Sequence, residues 1–233
     1  MFRSHGRIVP PSPCMRGSVA TEKKRLRGEF DRLLGQKDFF DLIGRSATLR
    51  SHFESFIQEI ATPLAGRCLV SFIPFSTEPQ VQVERESQDE PYRVAYVRIE
   101  DWPSRSMSAR QARRDLPGQW EDIEIPGGKR IFQPMDAQPR CALEQVGVVL
   151  VPGLAFARNG ARLGRGAGFY DRFLIEHSHA LRVGVAFSDQ VLDSLPEDPH
   201  DQRMDILLTD AGVVRMNSYG EWEKHGIIQS RAT

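Results

Sequence analysis

The sequence has no excess of charge of either sign, because its 233 residues include 31 basic and 31 acidic side chains. Proteins dedicated to nucleic acids usually carry a strongly basic face, so this balance argues against a nucleic-acid partner. Long apolar runs are also missing. The segment VGVVLVPGLAFA is well short of the about 20 residues that a membrane-spanning helix needs. We therefore expect neither a nucleic-acid nor a membrane partner.

Cysteine is scarce in this chain. Its three cysteines, Cys14, Cys68 and Cys141, are odd in number and lack the close spacing of a metal site. This pattern predicts free thiols in a reducing compartment, and we expect a cytoplasmic protein.

The first twenty residues lack acidic side chains but contain three arginines and three prolines. An organelle transit peptide has a similar bias. The absence of apolar periodicity favours a disordered extension over residues 1–19, and Met15 is an alternative start.

The rest of the chain, residues 20–233, alternates helical and strand-like patterns without an internal repeat, which predicts one domain. The predicted helices cover about 20–35, 46–61 and 168–177. The predicted strands cover 68–75, 92–99, 146–152 and the runs LRVGVAF, DILLTD and GVVRMN. Residues 101–140 are rich in proline, glycine and charge and predict an extended loop with one short hairpin. Apolar strands that alternate with helices predict a single three-layer α/β/α domain with a mostly parallel central sheet.

The segment RLGRGAGFYDRFL (162–174) connects the most apolar predicted strand to a predicted helix. It therefore lies at the carboxyl edge of the sheet, where ligands bind in open α/β folds. Its three alternating glycines allow backbone N–H groups to approach a ligand, and the helix that follows favours an anion at its N-terminus. Arg162 and Arg165 add donors suited to phosphate or carboxylate. The segment thus predicts an anion site, although a tight turn with solvated arginines is the simpler alternative.

Two common phosphate-binding templates do not fit this segment. No Gly-Lys-Ser/Thr follows it, and its Gly-x-Gly-x-Gly spacing differs from the dinucleotide fingerprint. A longer stretch, VPGLAFARNGARLGRGAGFYDRFL (151–174), resembles the signature of the 5-formyltetrahydrofolate cyclo-ligase family. Four further segments, KKRLRGEF, FIPFSTE, IFQP and MDILLTD, resemble other family motifs in the same order. The resemblance covers about residues 20–216 and is strongest after residue 145.

The resemblance implies an enzyme that closes 5-formyltetrahydrofolate to 5,10-methenyltetrahydrofolate. It implies ATP as co-substrate, Mg²⁺ as cofactor, phosphorylation of the formyl oxygen, and release of ADP and phosphate. Carried over by position, the implied ATP-binding residues are Lys23, Arg27, Arg162, Leu163, Gly164, Arg165, Gly166, Ala167, Gly168, Phe169 and Tyr170. The implied folate-binding residues are Ile73, Glu78, Arg165, Gly166, Ala167, Gly168 and Phe169. Arg165 is the implied catalytic residue, and Asp171 and Asp205 are the implied metal ligands.

Each assignment has a simpler structural alternative. Lys23 and Arg27 lie four residues apart and share a helix face, which could be a solvated basic surface. Ile73 could be ordinary core, Asp171 a favourable charge in the first helical turn, and Asp205 a strand-end carboxylate. The basic loop 101–116 could attract the polyglutamate tail of a folate or remain solvated.

The sequence departs from the family pattern at Ala157, where aspartate is common, and at Phe169, which replaces the first tyrosine of a pair. The segment PQVQ after Glu78 also differs, so a catalytically inactive relative that binds folate or nucleotide is the alternative function. A sugar-phosphate or coenzyme A ester substrate on the same sheet architecture is a third. We expect a monomer that takes 5-formyltetrahydrofolate and ATP.

Overall fold

The structure is a computed structural model, and it describes residues 18–81 and 91–216. The helices described are α1 (Val19–Gly35), α2 (Phe39–Leu64) and α3 (Phe169–Glu176). The strands described are β1 (Cys68–Ser71), β2 (Arg93–Asp101), β3 (Ser106–Gln111), β4 (Trp120–Ile125), β5 (Lys129–Pro134), β6 (Val146–Pro152), β7 (Ala155–Ala157), β8 (Arg162–Leu163), β9 (Leu181–Val185), β10 (Val191–Leu192), β11 (Ile206–Thr209) and β12 (Gly212–Arg215).

The central sheet has seven strands in the order β12-β11-β9-β6-β1-β2-β3. The five inner strands pair in parallel, and the two edge strands, β12 and β3, pair antiparallel to their neighbours. All residues of β6 except Pro152 are buried, as the continuous apolar run VGVVLVP predicts for a central parallel strand. The mostly parallel sheet expected from the sequence is confirmed.

Helices cover both faces of this sheet. In β6, Val148 and Leu150 belong to the core cluster formed with α2, whereas Val149 and Val151 belong to the cluster that contains Phe173 of α3. Successive side chains of a strand point to opposite faces, so these two clusters are the two interfaces of a three-layer α/β/α arrangement.

Helix α1 packs on a second, smaller sheet rather than on the central one. That sheet has the order β10-β7-β8. Leu26 and Phe30 of α1 share a core cluster with Ala155 of β7 and Leu163 of β8. Because β8 is the start of the glycine segment, this packing also brings Lys23 and Arg27 of α1 beside that segment.

The second predicted helix is longer than expected at its N-terminus. It begins at Phe39, after Asp38, whose carboxylate accepts the N–H groups of Phe40 at 2.9 Å and Asp41 at 3.2 Å. Phe39 and Phe40 are exposed and Gly44 is a poor helix former, so periodicity alone did not reveal these first seven residues of the helix, nearly two turns. The N-cap explains the extension, since its carboxylate satisfies two backbone donors that the helix leaves free.

The segment 101–140 contains more regular structure than the predicted loop. Strand β3 closes a hairpin with β2, and β4 and β5 form a second antiparallel hairpin. Residues on both hairpins face the cleft described below.

The prediction of free thiols is wrong for two of the three cysteines. Cys68 and Cys141 form a disulfide with Cα atoms 6.7 Å apart, across a sequence separation of 73 residues. Cys68 begins β1, and the Cys141 N–H donates to the Ala109 carbonyl of β3, so the sheet brings two distant cysteines together. Cys14, with nearly all of the predicted extension 1–19, lies outside the described residues. Across 18–81 and 91–216, every helix is too short or too polar to cross a membrane.

Candidate active site

A cleft of about 600 Å³ opens beyond the carboxyl ends of β1 and β6. The segment that follows β1 supplies Ile73, Phe75 and Glu78 to one wall, and α1 supplies Lys23 and Arg27 to another. The whole glycine segment lines the cleft, namely Arg162, Leu163, Gly164, Arg165, Gly166, Ala167, Gly168, Phe169 and Tyr170. The position expected from the sequence, at the carboxyl edge of a parallel sheet, is therefore the position of the cavity.

The backbone of the glycine segment has conformations that favour glycine at two positions. Gly166 has φ +98°, and a Cβ atom there would lie 3.2 Å from the guanidinium carbon of Arg27. Gly168 has φ +76° and is the N-cap residue of α3, with no side chain to cap the helix. The first N–H groups of α3 are therefore left for another partner, as in helix N-termini that bind anions.

Lys23 and Arg27 both reach the glycine segment or its neighbours, but each is engaged with protein groups. Arg27 Nε donates to the Gly164 carbonyl oxygen at 2.9 Å. The nearly buried Lys23 ammonium binds the Asp198 carboxylate at 2.7 Å and also the Asp201 carboxylate. Burial alone would lower the pKa of Lys23, but the two aspartates outweigh it and raise that pKa above its ordinary value. Arg27 thus supports the segment, and Lys23 lies charged at the edge of the cleft.

Arg162 is buried behind the segment and binds Asp171. Its Nη2 donates to both Asp171 carboxylate oxygens, at 3.1 and 3.2 Å, and its Nη1 donates to the Pro152 carbonyl at 3.2 Å. The guanidinium also lies 5.6 Å from the ring centre of Tyr170, whose pKa is raised by burial. Among the described residues, Arg162 Nε finds no hydrogen-bond partner although it is buried. A buried N–H without a partner is costly, so Arg162 Nε is a point where a hydrogen-bond acceptor would stabilise the structure.

Arg165 crosses the cleft to Glu78. Its Nε and Nη2 donate to Glu78 Oε1 at 3.2 and 3.0 Å, and its Nη1 donates to Asp31 Oδ1 of α1 at 3.1 Å. Its guanidinium lies 4.9 Å from the ring centre of Phe75, within cation–π range. Only 5% of the Glu78 side chain is exposed, compared with 30% for Arg165.

The second oxygen of Glu78 is also held, because Oε2 accepts the Phe75 N–H at 3.0 Å. Burial raises the pKa of Glu78, and the opposing influence of Arg165 and the Phe75 N–H does not cancel that effect. Two residues expected to contact the folate and the transferred phosphoryl group are therefore bound to each other in this structure.

The two implied metal ligands lie in different places. Asp171, in the first turn of α3, lines the cleft. Asp205 is nearly buried just before β11, level with the start of β9, where its Oδ2 accepts the Arg182 N–H at 3.0 Å. Among the described residues that line the cleft, Asp205 does not occur. The structure thus brings Asp171 to the cleft but not Asp205, which has the strand-end position of its simpler alternative.

Several cleft residues were missed from the sequence. Asp198, His200 and Asp201 line the cleft, and their ligand atoms all lie within 4.8 Å of one another. Their close spacing in EDPHDQ could have indicated a cluster of polar ligands. The pairing of the two aspartates with Lys23 could not be predicted, because it joins residues more than 170 positions apart. Trp102, from the β2–β3 turn, packs against Phe169 with ring centres 4.9 Å apart. The β4–β5 hairpin adds Lys129 and Ile131 to the wall.

Comparison with known proteins confirms the resemblance found in the sequence. Residues 105–210 match the sequence model of the 5-formyltetrahydrofolate cyclo-ligase family. A 5-formyltetrahydrofolate cyclo-ligase from Mycolicibacterium smegmatis is 48% identical over 73 residues, which cover 30% of this chain and 37% of that protein. The mitochondrial 5-formyltetrahydrofolate cyclo-ligase of Arabidopsis thaliana is 40% identical over 82 residues, 30% of each chain. The chain thus spans about a third of the length of these curated relatives.

Solved structures extend the similarity over most of the chain. The 5,10-methenyltetrahydrofolate synthetase of Aquifex aeolicus superposes with a TM-score of 0.68 and 25% identity, covering 84% of this chain and 93% of that one. The synthetase of Mycoplasma pneumoniae shares the fold, with a TM-score of 0.60, 17% identity, and coverage of 81% and 99%.

Proposed function

We propose, from its resemblance to the 5-formyltetrahydrofolate cyclo-ligase family, that this chain catalyses the ATP- and Mg²⁺-dependent closure of 5-formyltetrahydrofolate to 5,10-methenyltetrahydrofolate. One observation carries the proposal. The glycine segment and Glu78 face the same cleft, and Arg165 spans the distance between them. A reaction that moves a phosphoryl group from a nucleotide to a second substrate needs both ligands in one cavity, with a cation between them.

The nucleotide side of the cleft is the glycine segment. Phosphate oxygens would accept hydrogen bonds from the N–H groups at the start of α3, and Lys23 would add positive charge from α1. Arg27 would act through its bond to the Gly164 carbonyl, which fixes the segment.

The folate side is the wall that contains Ile73, Phe75 and Glu78. A carboxylate can accept two hydrogen bonds from the amino and ring N–H groups of a pterin. Phe169 keeps a flat surface against Trp102 although it lacks the hydroxyl of the usual tyrosine, so an aromatic ring of the substrate can pack there.

The donors in the cleft fit a magnesium ion that is bound largely through phosphate oxygens. Mg²⁺ usually takes one or two protein carboxylates together with substrate phosphates. Asp171, which lines the cleft, would hold the ion after giving up part of its bond to Arg162, and the ion would neutralise charge on the phosphates. Asp205 would have to leave the Arg182 N–H and its buried position to contribute.

In the proposed reaction the formyl oxygen attacks the γ-phosphorus of ATP, and ADP leaves. N10 of the folate then attacks the activated formyl carbon, and the C–O bond breaks to release phosphate. N10 loses its proton, so the products are 5,10-methenyltetrahydrofolate, ADP and phosphate. Arg165 would neutralise the charge that develops on the phosphoryl oxygens, which is chiefly electrostatic work.

A relative that binds these ligands without turnover is the second candidate. Pairing of the cleft's charged groups favours it: Lys23 binds two aspartates, Arg162 binds Asp171, and Arg165 binds Glu78. The unusual PQVQ segment after Glu78 points the same way.

A single assay tests both candidates. Protein, Mg²⁺, ATP and 5-formyltetrahydrofolate are mixed, and the absorbance of the methenyl product is followed, with a control that omits ATP. ATP-dependent growth of the product band is expected. If calorimetry shows that 5-formyltetrahydrofolate binds, but no product forms even at high protein concentration, the second candidate, a binding protein without turnover, is supported instead.

A further inference from the structure

Arg165, the cation in the middle of the cleft, has all of its guanidinium nitrogens bound to protein carboxylates. All three nitrogens of the Arg165 guanidinium donate to carboxylates, two of them to Glu78 and one to Asp31. A phosphate can therefore bind this arginine fully only after one of these carboxylates gives up its hydrogen bonds.

The two carboxylates differ in how easily they can be released. Asp31 is more than half exposed, so water can replace Arg165 at little cost. Glu78 is nearly buried, and one of its oxygens is fixed by the Phe75 N–H. Withdrawing Arg165 from Glu78 leaves a buried carboxylate without its cation, which is strongly unfavourable unless new donors arrive.

We infer that Glu78 and Asp31 restrain Arg165 until a ligand with N–H donors occupies Glu78, and that the two ligands of the cleft therefore bind with positive coupling. This inference rests on the proposed function. A ligand that donates hydrogen bonds to Glu78 compensates its charge, so Arg165 can turn to the nucleotide phosphates. The coupling must be reciprocal, since each ligand changes the affinity for the other by the same factor.

The restraint on Arg165 also implies a preferred order in which the two ligands bind. Phosphates bound before the second ligand would meet an arginine that is already neutralised by two carboxylates. Phosphates bound after it would meet a free guanidinium, which favours bidentate phosphate contacts. Asp31, a residue with no expected role in the sequence, becomes a positioning residue for Arg165.

The test is calorimetric titration of the full chain with the Mg²⁺ complex of a non-hydrolysable ATP analogue, without folate. Glu78→Gln removes the restraining charge and is expected to tighten nucleotide binding about tenfold, and Asp31→Asn about twofold. Glu29→Gln is the matched control, because Glu29 lies on the same helix but pairs with Arg25 rather than Arg165. It should leave the affinity unchanged. A merely structural defect in Glu78→Gln would weaken binding, so a gain identifies the restraint.

A second arm repeats the Glu78→Gln measurement with Arg165→Met in the background. The gain should vanish there, and 5-formyltetrahydrofolate should tighten nucleotide binding to the unchanged chain several-fold. Equal or weaker affinity in Glu78→Gln, or a gain that persists without Arg165, overturns the inference and leaves the proposed function intact. Failure of the unchanged chain to bind the nucleotide would overturn the proposed function, and the inference with it.

Discussion

Substitution of Gly160 by alanine is expected to destabilise the fold at the base of the glycine segment. Gly160 lies between β7 and β8 with φ +87°, a conformation that costs an alanine about 1–2 kcal/mol. An added Cβ would also collide with the Met204 carbonyl oxygen, which is backbone and cannot turn aside. Relief of that collision requires movement of two backbone hydrogen bonds.

These two bonds set the magnitude. The Met204 N–H donates to the Gly160 carbonyl, and the Gly160 N–H donates to the Ala157 carbonyl, both at 2.8 Å. Each contributes about 0.5–1.5 kcal/mol, so Gly160→Ala should lower the free energy of unfolding by about 2–5 kcal/mol. Gly28→Ala is the matched control, since Gly28 lies inside α1 with no atom within 4 Å of its added Cβ. It should raise stability by up to about 1 kcal/mol.

Urea unfolding followed by circular dichroism measures both variants against the unchanged chain, at constant m-value. We expect the free energy of unfolding to fall in Gly160→Ala and to rise in Gly28→Ala, although both variants replace glycine by alanine. A loss below about 1 kcal/mol in Gly160→Ala would refute the reasoning, because it would mean that the β7–β8 connection and the segment before β11 can separate freely.

Three further predictions concern the cleft and the disulfide. Burial raises the folded-state pKa of Glu78, so ionisation of Glu78 destabilises the fold as pH rises above 4.5. In urea titrations, Glu78→Gln should therefore gain stability relative to the unchanged chain as pH rises above 4.5. A constant difference would contradict this sign. Arg165→Ala should reduce turnover by about two orders of magnitude while folate affinity changes far less, and near-normal turnover would remove Arg165 from the catalytic residues. Cys141→Ala, or reduction of the disulfide, should lower the free energy of unfolding by about 4 kcal/mol, because the disulfide closes a loop of 73 residues. Urea unfolding curves that are identical with and without reductant would show that the two thiols are not joined.

Patterns within one element were readable from the sequence, and contacts between elements were not. The run VGVVLVP predicted β6, and the glycine segment after it predicted the cleft, because both depend on neighbours in the chain. The bond between Arg165 and Glu78 spans 87 residues, and the one between Lys23 and Asp201 spans 178. The family signature predicted ligand contacts for Lys23, Glu78 and Arg165 but could not show that they bind other side chains of the protein. It assigned no role to Asp201.

The two arginines of the glycine segment illustrate what burial adds to a sequence pattern. Arg162 and Arg165 are three residues apart, and residue type alone suits both to phosphate or carboxylate, although the family resemblance singled out Arg165 as catalytic. Only 5% of the Arg162 side chain is exposed, and it is fixed by the Pro152 carbonyl and by Asp171, both close in sequence. Arg165 is 30% exposed, and its hydrogen bonds to the described residues go to carboxylates from distant segments. A side chain that stabilises charge developing during a reaction must be able to exchange its hydrogen-bond partners. A side chain that holds a loop in place must keep them. The contacts of Arg162 therefore support the glycine segment, whereas those of Arg165 fit the proposal that it exchanges Glu78 for a phosphate.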